Sequence, residues 1–132
     1  MVITILDEVL FAKKINALKR YFMKNYKYLA FEVIPKLKRE GKIDGSYKLE
    51  LPTDALFEKV YGKMQLNFTV KNDVAILEDI IPGEILTACY EKDLPTYKGI
   101  PYDTERDLAK IKIMEKLLWQ TLIIKKDMEN VF

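Results

Sequence analysis

The sequence predicts an α+β domain, a small antiparallel sheet packed by one long helix at each end of the chain. Three observations carry this. Apolar residues step by three or four from Phe11 to Leu37, they alternate strictly with polar ones from Met64 to Val70, and a second helical stripe follows Thr104. The chain has 132 residues, the size of one ordinary domain, so a single domain over 1–132 is expected.

Thr4-Ile5-Leu6-Asp7 reads as a helix start, with a threonine cap and acids in the first turn. Phe11, Ile15, Leu18, Phe22, Tyr26, Leu29, Val33 and Leu37 then line one face. This predicts a helix over roughly 5–40, kinked or split near Pro35, whose ring disfavours helical backbone at Ile34, and closed by Gly41.

The period then changes. Alternation predicts a strand over 46–51, and Pro52-Thr53-Asp54 opens a short helical segment, Ala55–Tyr61, that Gly62 ends, with Thr53 as its cap. Strands are predicted over 63–70 and 74–81, joined by an Asn72-Asp73 turn. Pro82-Gly83 makes the next turn before a fourth strand over 84–90. A loop over 92–103, holding Pro95, Gly99 and Pro101, leads to the last helix, over roughly 104–126. Trp119 and two apolar stripes make that helix apolar around most of its girth, as a helix buried on several sides would be.

Composition excludes more than it selects. The chain has no histidine and one cysteine, Cys89. That removes disulfide frameworks, Ser-His and Cys-His catalysis, and any zinc site built on His and Cys. Cys89 lies in an apolar stretch and reads as a small buried hydrophobe. No glycine-rich phosphate loop is present, and no cofactor is expected. The apolar run Met1–Leu6 is too short for a signal peptide or a membrane span. No membrane contact is therefore expected, and a cytoplasmic location, host cytoplasm or virion for a viral chain, is the expectation. Nineteen lysines against three arginines, with glutamine only at Gln65 and Gln120, match both hyperthermophile usage and an AT-rich genome.

The charge is divided unevenly. Residues 1–42 hold ten Lys/Arg against four Asp/Glu, a net +6, and residues 43–132 hold twelve against sixteen, a net −4, for the overall +2. The basic part falls on the first helix with aromatic residues set among the lysines. A helical wheel places Lys13, Arg20, Lys24 and Lys27 on one side, with Tyr21 and Tyr28 two turns apart beside them. Cations release counterions from phosphates and flat rings stack on bases, so this pattern suits nucleic acid. It equally suits an acidic protein partner or a solvated helix face. Tyr97, Lys98 and Tyr102, on the loop before the last helix, form a second candidate contact surface.

Two further clusters resemble catalytic ones. Asp103, Glu105 and Asp107 could gather a hard cation, but acids in a first helical turn are favoured there without a metal. Glu91 and Lys92 imitate the Glu-x-Lys of metal-dependent nucleases, yet adjacent strand residues point to opposite faces and cannot converge on one ion. The expectation is a non-enzymatic binding or assembly protein, of the kind a virus or mobile element uses as a structural or regulatory factor. It would self-associate and meet an acidic partner. A nucleic-acid-binding module is the alternative, and a carboxylate–metal hydrolase the distant third.

Overall fold

Two central strands carry the architecture. A computed structural model describes residues 1–116 of the chain. Strands β3 (Met64–Lys71) and β4 (Val74–Ile81) form a hairpin around Asn72 and Asp73, both in left-handed backbone (φ 52° and 62°), as a two-residue turn that matches strand twist requires. Met64, Leu66, Phe68 and Val70 are buried, while Gln65, Asn67 and Thr69 between them are half-buried. One face of β3 therefore belongs to the core and the other faces outward.

On one side β3 pairs antiparallel with β2 (Gly45–Leu51). On its other side β4 pairs parallel with β1 (Val2–Ile5), so the order is β1-β4-β3-β2. Four strands are present, as expected, but the sheet is mixed and its fourth member differs. Residues 2–5 supply the strand, and the helix begins only after Asp7, whose carboxylate accepts the Leu10 N–H at 3.0 Å. Thr4 is not a cap. Val2, Ile3 and Ile5 carry β-branched side chains, and a strand beside β4 packs the half-buried Ile3 and Ile5 against the core.

The expected strand over 84–90 is helix α5 (Gly83–Glu91). Its buried residues, Ile85, Leu86, Ala88 and Cys89, fall at i, i+1, i+3 and i+4, a helical set. Thr87 and Tyr90 gave the segment a strand-like composition, and the need to cover the sheet beside the first helix overrode it.

The long N-terminal helix is divided. Helix α1 (Glu8–Tyr21) stops at Phe22, whose backbone (φ −133°, ψ 57°) leaves the helix. The break buries the Phe22 ring edge-on against Phe57, centroids 5.1 Å apart. Helix α2 (Met23–Tyr28) passes into a π-helical turn, Leu29–Val33, and then into α3 (Ile34–Glu40). Pro35 does not split the chain. It sits in the first turn of α3, where a missing N–H costs nothing, and the wider π turn before it makes room for the ring. The apolar face survives these interruptions: Phe11, Leu18, Phe22, Leu29, Val33 and Leu37 are all buried.

Helix α4 (Ala55–Tyr61) is capped by Asp54, which accepts the Leu56 N–H at 2.8 Å, and not by Thr53. The expected loop over 92–103 contains a miniature hairpin, β5 (Thr96–Tyr97) and β6 (Ile100–Pro101), turned by Lys98 and Gly99, both at positive φ. The last helix, α6, begins at 108 and not at 104. Asp103 first accepts the Glu105 N–H in a turn, and the Asp107 carbonyl takes the first helical bond, from Ile111. Residues 117–126 of the expected helix, with Trp119 and most of its apolar girth, lie outside the described residues.

Among the described residues, one basic residue is buried. Lys14, 4% exposed, pairs with Asp79 of β4. An irregularity in the β3–β4 register between Asn67 and Phe68 leaves Glu78 without a partner beside Asp79. Leaving a buried charge unpaired costs about 3–5 kcal/mol, whereas removing that charge while its partner keeps water access costs less. Asp79→Asn is therefore expected to destabilise the fold clearly more than Lys14→Met. Urea unfolding of the two variants checks the order.

Candidate functional site

The break at Phe22 decides where the candidate residues go. Lys13 and Arg20 end on α1, Lys24 and Lys27 on α2, so the four fall on two helices and not on one. Lys13 lies over the Tyr90 ring, 5.5 Å from its centroid. Arg20 pairs with Asp93 and lies over the Tyr21 ring at 5.4 Å. With Asn16, Ala17 and Glu91 these two basic residues border a shallow hollow above Cys89 and Tyr90.

Tyr21 is a structural clamp as well as a surface. Its hydroxyl accepts the Leu94 N–H at 3.0 Å and donates to the Leu94 carbonyl at 3.3 Å. This anchors the segment that leads to the β5–β6 hairpin on the end of α1. The clamp brings the two candidate surfaces together. Tyr21, Lys24 and Tyr28 from one, and Lys98 from the other, border a single cleft of 610 Å³. Phe22, Met23, Asn25, Phe57 and Ile100 line it too, with Pro52, Thr53, Asp54 and Gly99 on the facing side. The Asn25 amide donates to the Pro52 carbonyl and ties α2 to the segment before α4.

Lys24 and Lys98 are exposed at this cleft, Lys98 at the hairpin tip in left-handed backbone (φ 53°). The other candidates fall elsewhere. Lys27 is exposed but does not border the cleft. Tyr97 pairs with Ile100 within the hairpin, and Tyr102 closes it with its N–H on the Pro95 carbonyl at 3.0 Å.

The acid cluster has a different occupation from the one a metal would give it. Asp107, 1% exposed, accepts from Arg106 through Nε at 3.1 Å and Nη2 at 3.2 Å, from the Asp103 N–H at 3.2 Å, and from the Tyr61 hydroxyl at 3.3 Å. Tyr61 also donates to the Pro101 carbonyl, Arg106 to that of Glu84, and Lys92 to Asp103 at 3.0 Å. The cluster binds α4, α5, the hairpin and α6 together. Among the described residues no group of three metal-ligating side chains gathers, and no helix is long and apolar enough to cross a membrane.

Burial pushes the Asp107 carboxyl up, but the Arg106 hydrogen bonds, the Asp103 N–H and the nearby cations together hold it below its ordinary value. The Lys92 hydrogen bond does the same for Asp103. Burial, with Asp107 beside it, raises the Tyr61 hydroxyl. Burial also raises the Cys89 thiol to about 12, against a smaller opposing pull from Arg106 and Arg20. A thiol held neutral and inside is a packing residue.

Sequence reasoning missed the facing side of the cleft, Pro52 to Phe57, because nothing local says that α4 will lie opposite α2. It also missed Lys14. The signal was available: Lys14 is three residues after Phe11 and four before Leu18, inside the apolar stripe. No family model matches this chain, and no curated protein or solved structure matches it either.

Asp103 and Asp107 have lowered carboxyl pKa values in the fold. The stability they contribute is complete above the unfolded value of 3.8 and is lost as pH falls below it, through the folded values. Asp107→Asn is expected to cost about 2–3 kcal/mol near neutral pH and to flatten the acid limb of the stability profile. Thermal melts from pH 7 to pH 3 measure both. Cys89 is expected to react with a thiol reagent at pH 8 only as fast as the native protein opens. Loss of free thiol with and without urea checks this.

Proposed function

We propose that this chain is a non-enzymatic binding protein whose cleft between α2 and the β5–β6 hairpin captures an acidic segment of a protein partner. One observation carries the reading. Residues some seventy positions apart, Tyr21, Lys24 and Tyr28 on one side and Lys98 on the other, border one cleft whose lining includes Phe22, Phe57 and Ile100. An apolar lining takes an apolar or aromatic anchor. The two rim lysines attract carboxylates flanking that anchor, and the tyrosines add contact area at low entropic cost.

Nucleic acid is the second reading, favoured by the exposed Lys24 and Lys27 beside Tyr28. It is the weaker one because Arg20, one of the cations it would use, is already engaged by Asp93.

The readings separate in one titration series. Fluorescently labelled peptides carrying one Trp or Leu between runs of Asp and Glu are compared with labelled single- and double-stranded DNA and RNA. The peptide is expected to bind, and Lys24→Glu with Lys98→Glu to weaken it by about tenfold or more, while Lys13→Glu changes little. Nucleic-acid binding that collapses between about 50 and 200 mM salt would promote the second reading. Binding of neither probe would remove the cleft as a site.

A further inference from the structure

The two edges of the sheet are built differently. Edge strand β2 carries Lys48 and Glu50 among its exposed residues, charges of the kind that discourage edge pairing. Edge strand β1 has no such protection. Val2-Ile3-Thr4-Ile5-Leu6 contains no charge, proline or glycine, and Val2 and Leu6 are 63% and 68% exposed. The Val2 N–H donates to Asp73 and the Leu6 N–H to Leu77, both toward β4. In a parallel ladder the intervening residues turn the other way, so the N–H and C=O groups of Ile3 and Ile5 point out of the free edge. Among the described residues nothing hydrogen-bonds them.

We infer that β1 pairs antiparallel with β1 of a second copy of this chain, about a two-fold axis at Thr4, to give one continuous eight-stranded sheet. The occupant follows from self-complementarity. A two-fold at Thr4 sets Ile3 against Ile5 of the second copy, and these are the residues whose backbone groups point outward. The match makes four new hydrogen bonds with none left over. On the outer face Val2 meets Leu6 of the second copy, covering the two exposed apolar residues, and threonine meets threonine. On the inner face Ile3 and Ile5 border an apolar groove with Phe11, Ile15, Leu29 and Ile34, and the two-fold brings the two grooves side by side.

Charge agrees with this orientation. The start of β1 lies against the basic end of α3: the Met1 amine donates to the Lys38 carbonyl at 3.1 Å, and Arg39 follows. The end of β1 runs into Asp7 and Glu8. Antiparallel pairing sets the acidic end of each copy beside the basic end of the other, whereas parallel pairing would stack like on like. The interface does not involve the cleft, so it stands or falls separately from the proposed partner binding.

The test is a charge swap at Thr4, whose side chain is exposed and whose replacement leaves the monomer's core untouched. Mass by light scattering is followed for the full chain from about 1 μM to about 1 mM. Wild type is expected to reach twice the 15.5 kDa of the monomer. Thr4→Lys and Thr4→Glu, each with an unchanged thermal melt, are expected to raise the dimer dissociation constant about tenfold, and their equimolar mixture to recover it. Amide exchange on wild type gives a readout without mutation, with Ile3 and Ile5 protected in concentrated and not in dilute samples. Three results would overturn the inference: a monomer throughout, a dimer indifferent to both substitutions, or weakening by both without rescue on mixing. The last would mean the edge pairs with a different strand.

Discussion

The pairing of buried Lys14 with half-exposed Asp79 is the constraint from which the other placements follow. It joins α1 to β4 where a shift in strand register makes Asp79 available, and Gly83 at the start of α5 comes to the same point. A Cβ on Gly83 would lie 3.4 Å from the Lys14 ammonium, in contact with it, so α5 begins beside the pair. A charge inside the protein tolerates little displacement, because any shift that parts the ions exposes the full desolvation cost. With α1 held in this way, its C-terminal end presents Tyr21 to Leu94, and the hairpin carrying Lys98 is held beside α2.

A second polar assembly does the same work for the other half of the fold. Asp107 stands where four elements meet, and its carboxylate is shared by Arg106, Tyr61 and the Asp103 backbone. Acids near a helix start are stabilised by the free N–H groups there, and burial of the cluster adds the demand that every oxygen find a donor. The carboxylates that imitate a metal site in one dimension are spent on joining elements in three.

The two proposed interaction surfaces would rest on different physics. The cleft relies on a few cations at the rim of an apolar hollow, and its strength would respond to salt. The β1 edge would rely mainly on unpaired backbone groups flanked by apolar side chains, with the charges at its two ends adding a smaller, salt-sensitive part. A chain with a basic first third and an acidic remainder can use both without one competing with the other.

Local signals in the sequence determined the class of the fold, the β3–β4 hairpin, the short helix between Asp54 and Gly62, and the buried face from Phe11 to Leu37. Each of these depends on side-chain period or on a turn residue, which the chain displays wherever it is read. The face from Phe11 to Leu37 even survives a break and a π turn, because burial selects side chains and the backbone adjusts to deliver them. The cleft residues Tyr21, Lys24, Tyr28 and Lys98 could be picked out one by one only as aromatic and cationic types. Tertiary structure alone decided that residues 2–5 pair with β4, that 83–91 coils, that the helix breaks at Phe22, and that two distant segments share one cleft. Short apolar runs are compatible with strand or helix, and only the surface they must cover selects between them. The partner of each surface, Phe57 for Phe22 or Asp79 for Lys14, lies tens of residues away, beyond the reach of any local pattern.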